Sequence, residues 1–172
     1  MKILVATVDE MKALIPEKYY KDVIITGIGI LNVLKTIREK VSPMDLIVNV
    51  GYAGSKGIPV GSVCQVKYCK PYQVNNIDEG SFEFNTLPNY ATTNLYTSTD
   101  FLTSSELDEN FLVDMEGLAY SILDNKKYSI KIVSDNLNLE DYGTALDEDY
   151  TQKIGKILVM IEGENSECKK GS

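Results

Sequence analysis

The sequence predicts an α/β fold, a three-layer domain in which helices flank a central mixed, mainly parallel sheet. Three observations carry this expectation. The apolar runs "KILVAT", "DVIIT" and "DLIVNV" are continuous rather than alternating, as in strands buried on both faces. Stretches of helical spacing lie between them, the signature of βα units. From Ile58 onward the rhythm becomes β-rich without an intervening helix, so the rest of the sheet is expected to bend or meander.

Residues 2–7 form the first strand, and "DEMKALI" (9–15) a helix with acids in its first turn, where the helix dipole favours them. Residues 22–26 are the second strand. In "GIGILNVLKTIREK", Gly27 and Gly29 make a tight turn, and Leu31, Leu34 and Ile37 form an apolar helical stripe. The third strand is "DLIVNV" (45–50), closed by the loop "GYAGSKG". "IPVGSVCQVKY", "EGSFEFN" and "TTNLYTS" (92–98) are strand candidates. The segment "FLVDMEGLAYSILDNKKYSIKIVSDN" (111–136) reads as strand, helix and strand, and 146–161 closes the domain as a helix. Residues 1–162 are expected to form one domain, and 163–172, which lack periodicity, a disordered tail.

With 172 residues, 44% hydrophobic and 24% charged, the chain can bury a full core. It contains no run of eighteen apolar residues and no internal repeat, and "MKILVA" leads straight into acidic "TVDE" rather than a cleavable signal. A cytoplasmic protein is expected. The net charge of -8, with basic residues scattered, argues against nucleic acid or an anionic membrane as partner. Three cysteines (Cys64, Cys69, Cys168) lack CxxC spacing, and no histidine could complete a zinc site; no metal and no cofactor are expected.

The absence of histidine also removes the usual imidazole acid or base, which leaves proton chemistry to Asp, Glu, Lys or Tyr. Arg38 is the single arginine, so bidentate clamping of phosphate is disfavoured. "GIGILN" lacks the third glycine of a dinucleotide fingerprint, and "GYAGSKG" lacks the GK[ST] of a Walker loop. In open α/β sheets ligands gather outside the carboxyl ends of strands. Here those ends carry Asp9 and Glu10, Gly27 to Gly29, Gly51 to Ser55, Asp100 and Phe101, Met115 and Glu116, and Asp135.

"VIITGIGILN", "IVNVGYAGS" followed by "PVGSV", "VDMEGLAYSI" and "IKIVSDN" resemble, in this order, the marks of the nucleoside phosphorylase superfamily, closest to its methylthioadenosine/S-adenosylhomocysteine nucleosidases. The resemblance covers about residues 1–160 and describes a shortened member, since "FEFN" to "NLYTS" is too short for the helix usual there. It implies hydrolysis of the N-ribosidic bond of a purine nucleoside. Such a reaction needs an acid at the departing base and an activated water at the anomeric carbon, tasks that two carboxyl groups in unlike environments can divide.

By this resemblance Asp135, with Ser134 beside it, protonates the purine, and Glu10, or alternatively Asp9, orients the water. Glu116 accepts hydrogen bonds from the ribose hydroxyls, Met115 offers its thioether to the sugar, Phe101 stacks on the base and Leu102 supplies backbone contacts. Tyr52, Ala53 and Gly54 pass close to the sugar and water, and Ser134 and Lys131 complete the expected substrate-binding set, Lys131 standing where these enzymes usually carry an arginine near the catalytic carboxylates. Tyr52, Ser55 and Asp100 depart from the family pattern, where smaller residues are usual. The resemblance also implies a homodimer. Futalosine hydrolase, a purine nucleoside phosphorylase and a non-catalytic nucleoside-binding protein are the alternatives. Each residue has a plainer reading as well: Glu116 as a helix start, Asp135 as a turn, Met115 and Phe101 as core, and Glu10 as one acid of a solvated helix end.

Overall fold

The structure, a computed structural model, describes residues 1–74, 80–88, 90–102, 110–137 and 148–168. Its elements are β1 (Lys2–Val5), α1 (Val8–Leu14), a 3-10 turn (Glu17–Asp22), β2 (Val23–Ile25), α2 (Ile30–Lys40), β3 (Ile47–Gly54), β4 (Val63–Pro71), β5 (Phe82–Glu83), β6 (Thr92–Thr97), β7 (Phe111–Asp114), α3 (Gly117–Ser121), β8 (Lys127–Asp135) and α4 (Thr151–Cys168). The βα alternation of the first half and the β-rich second half are as expected.

Helices cover both faces of the sheet because its strands are apolar on both sides. In β1, Ile3 and Val5 face α1 and α4 with Leu14, Ile154 and Leu158, while Leu4 faces α2 and α3 with Val33, Ile37 and Leu118. Full burial of each such side chain contributes about 1.5–3 kcal/mol.

The sheet is nevertheless not the open one expected. Its path runs β2-β1-β3-β7-β6-β4-β5, and β8 pairs with both β3 and β4. Strands β3, β7, β6, β4 and β8 therefore close into a barrel-like ring, with β1 and β2 extending from β3. The pairings of β1 with β2 and β3, β3 with β8, and β6 with β4 and β7 are parallel. Those of β4 with β5 and β8, and of β3 with β7, are antiparallel. The long βα-less stretch from β4 to β6 supplies the strands that curl the sheet back on itself.

Three local expectations change. Gly51 to Gly54 belong to β3 rather than to a loop, because that strand pairs with β8 throughout its length. Leu31 is 81% exposed, since the helix begins at Ile30 and turns Val33 and Ile37 inward. Helix α4 starts at Thr151 and continues to Cys168, beyond the boundary expected at 162. Residues 146–147 and 169–172 lie outside the described residues.

Gly117 opens α3 against a crowded wall: a methyl group there would collide with Leu95 Cδ2 and stand 3.0 Å from Asp114 Oδ2. Gly117→Ala should destabilise the fold by about 1–3 kcal/mol. Gly163, in α4 with nothing within 4 Å of an added methyl, should tolerate or gain from alanine by up to about 1 kcal/mol. Urea midpoints of the two variants measure this difference.

Candidate active site

A cavity of about 410 Å3 opens where the carboxyl ends of β1, β3, β7 and β8 meet. Glu10 and Asp9, Tyr52, Ala53 and Gly54, Phe101 and Leu102, Met115 and Glu116, and Ser134 and Asp135 all line it. Glu10, Glu116 and Asp135, separated by as many as 125 positions, thus share one cavity.

Glu10 is brought there by its own helix. Thr7 and Glu10 form a reciprocal capping box: the Glu10 N–H donates to Thr7 Oγ1 at 3.1 Å, and Glu10 Oε2 accepts from the Thr7 N–H at 3.2 Å and from the Ala6 N–H at 2.8 Å. Its second oxygen, Oε1, accepts a long 3.4 Å bond from the Tyr52 N–H. Glu10 does cap the start of its helix, but as a buried acid rather than the solvated one of the plainer reading, and the same bonds aim its carboxylate at the cavity. Burial pushes the Glu10 carboxyl up, against the pull of Lys131 and these three N–H donors.

Glu116 occupies the N-cap position of α3 but accepts no hydrogen bond from that helix. Asp114 does so instead, accepting the Gly117 N–H at 3.0 and 2.9 Å. Glu116 Oε1 reaches across to the Gly29 N–H at 2.8 Å. Gly27 and Gly29 hold φ of 80° and 87°, so the tight turn expected there presents this N–H to the carboxylate. Burial and the neighbouring Asp114 raise the Glu116 carboxyl to about 7, with Glu10 adding to the rise and Lys131 and the Gly29 N–H opposing it.

Asp135 ends β8. Its Oδ2 accepts from Ser134 Oγ at 2.6 Å and its Oδ1 from the Leu137 N–H at 2.9 Å. Turn residue and cavity wall are again one side chain. Gly54 leaves room for it, since a methyl group there would stand 2.9 Å from Asp135 Oδ1. Phe101, 46% exposed, sits at the rim rather than in the core, with Asp100 and Ile28.

Lys131 does not reach the wall. It is fully buried, and its ammonium pairs with Asp114 Oδ2 at 2.7 Å. Sequence reasoning passed over Asp114, which also accepts from Thr97 Oγ1 at 2.7 Å. The signal was present in "VDMEG", where an acid at the end of an apolar strand needs a partner once the strand is buried.

Solved structures with this architecture include an MTAN of Chlamydia trachomatis bound to MTA, with a TM-score of 0.72, 20% identity, and 95% of this chain and 98% of that one covered. Another is the 5'-methylthioadenosine/S-adenosylhomocysteine nucleosidase of S. pneumoniae with a transition-state inhibitor, at 0.71 and 19% over 93% and 97%. A third is the Helicobacter pylori enzyme of the same name with butyl-thio-DADMe-Immucillin-A, at 0.75 and 15% over 94% and 97%. The chain has the fold of the methylthioadenosine/S-adenosylhomocysteine nucleosidases. No family model matches it, and no curated protein matches it significantly in sequence. At these identities the nucleosidase fold is shared by backbone architecture, with most side chains replaced.

An acid raised in the folded state favours folding most below its ordinary value of 4.5, and that contribution is lost as pH rises through about 7. Relative to the parent, Glu116→Gln should therefore gain stability between pH 5 and pH 8, on the order of 1–3 kcal/mol. Thermal melts of both proteins across this range check it; a constant difference would contradict the assignment.

Proposed function

We propose that this protein hydrolyses the N-ribosidic bond of a purine nucleoside, of the methylthioadenosine/S-adenosylhomocysteine type. The observation that carries the reading is the meeting of Glu10, Glu116 and Asp135 in one cavity at strand ends. The nucleosidase fold supports it, and the resemblance in the four sequence motifs assigns the roles.

In this mechanism the purine leaves as the bond from the anomeric carbon to the base nitrogen breaks, and Asp135 delivers a proton to the ring. Ser134 and the Leu137 N–H hold the Asp135 carboxyl in position. Glu10 orients a water at the anomeric carbon and takes its proton as the new C–O bond forms. Its anchorage by Ala6, Thr7 and Tyr52 limits the reorganisation this requires. Glu116 accepts the ribose hydroxyls beside Met115, Phe101 stacks on the base with Leu102 at its side, and Tyr52, Ala53 and Gly54 bound the sugar. Lys131 acts from behind the wall by its charge.

Water is favoured over phosphate as nucleophile because no lysine or arginine is among the described residues that line the cavity, and Arg38 is exposed on α2. The same reading takes a cytoplasmic homodimer as the working form, for which sedimentation is the direct test.

One observation favours a binding protein instead: three N–H donors already engage the Glu10 carboxylate. Incubation with a panel of purine nucleosides, with and without phosphate, separates the readings. Hydrolysis releases free base and ribose irrespective of phosphate; stabilisation by a nucleoside without any base released would establish the binding protein. Asp135→Asn should lower kcat roughly 10²–10⁴-fold while largely sparing nucleoside binding, and unchanged turnover would remove Asp135 as the acid.

A further inference from the structure

Behind the cavity lies a charge cluster whose composition is unbalanced. The Lys131 ammonium is surrounded by three carboxylates from three elements: Asp114 of β7, Glu116 at the start of α3 and Glu10 of α1. Burial works against the ammonium, yet these carboxylates together hold it above its ordinary value. Its charge is felt at Glu10 and Glu116 as well as at Asp114. Among the described residues, however, it forms an ion pair with Asp114 alone, at 2.7 Å.

The geometry explains this preference. Asp114 is held by Thr97 Oγ1 and by the Gly117 N–H, and Thr97 is held in turn by the Leu118 N–H at 2.9 Å. The carboxylate is therefore a fixed anchor, buried to 1% exposure. Lys131 lies opposite Gly51 in the register of β3 and β8. The point where a Gly51 side chain would begin is 3.5 Å from both Lys131 Nζ and Glu10 Oε1. With glycine at 51, the ammonium and the Glu10 carboxylate border the same point without a side chain between them there.

We infer that Asp114 is a positioning residue: it anchors the Lys131 ammonium near Glu10 and Glu116 but off their oxygens, so that those oxygens stay available to water and to ribose hydroxyls. The inference rests on the catalytic reading above for its functional meaning, and on the cluster geometry alone for its electrostatics. Without the anchor, Lys131 is drawn into direct pairing with Glu116 or Glu10. The groups facing Glu116 are Asp114, Lys131, Glu10 and the Gly29 N–H, and the Tyr120 phenol, bonded to Thr26 Oγ1 at 3.1 Å, also feels its charge.

The test is carboxyl 13C NMR titration of glutamate-labelled protein, with the Glu116 signal assigned by its loss in Glu116→Gln. Asp114→Asn removes a like charge from Glu116 and frees Lys131 to approach it, so the Glu116 midpoint should fall by on the order of one pH unit. Lys131→Met should move it the other way. The acid limb of kcat/KM should follow each midpoint, and KM should rise more than kcat falls in Asp114→Asn; Asp114→Glu should restore both. A Glu116 midpoint unmoved in folded Asp114→Asn, or moved in the same direction by both variants, overturns the proposal. Should Asp114→Asn fail to fold, the unsubstituted protein decides: the Lys131 15Nζ shift must follow the Glu116 titration with the same midpoint, and a silent Lys131 overturns it. If no nucleoside is cleaved, the catalytic reading fails while the titrations still judge the anchor.

Discussion

The structure depends on the closure of its sheet at Gly54. There β3, which runs beside β8 along its whole length, also pairs antiparallel with β7 at Val113. That contact brings the carboxyl ends of β3, β7 and β8 to one place, although β7 runs against the other two. Glycine keeps the junction clear: a methyl group there would stand 2.5 Å from Leu137 Cδ2 and 2.9 Å from Asp135 Oδ1, and would displace both side chains. The cavity is the space left at this convergence, and every acidic group assigned to it hangs from one of the strand ends or from the capped helix that follows β1.

A second constraint follows from placing acids there. Carboxylates at the end of an apolar sheet must be paired or neutral, because burial of an unpaired charge is costly. The protein meets this in three ways. Backbone N–H groups engage Glu10 and Asp135, a buried lysine neutralises Asp114, and burial beside Asp114 raises the Glu116 carboxyl towards its neutral form. Structural and chemical roles are therefore not rivals at these positions. The bonds that cap α1 and end β8 are the bonds that orient the carboxylates.

Much of this was legible in the sequence. The βα alternation from Lys2 to Val50 follows from continuous apolar strands and helical spacing, and the cavity residues were found because motifs at strand ends occur in a recognisable order. Lys131 and Asp114 were less legible. A lysine in "IKIVSD" resembles an outward-facing residue of an alternating strand, and nothing local shows that both neighbours of β8 cover it. The curl of the sheet was hidden for a similar reason: pairing between β3 and β7 joins residues far apart in sequence through one contact and leaves no periodic trace.

What the sequence by itself determined is the set of elements, their apolar faces, and the acids that cap or end them, since these depend on neighbours within a few residues. Tertiary structure alone decided which of those acids meet. The 3.4 Å approach of the Tyr52 N–H to Glu10, the bond from Gly29 to Glu116 and the pairing of Lys131 with Asp114 each join distant segments. Their geometry comes from strand register and ring closure, which place a side chain to within an ångström, whereas local spacing can say only which face it occupies.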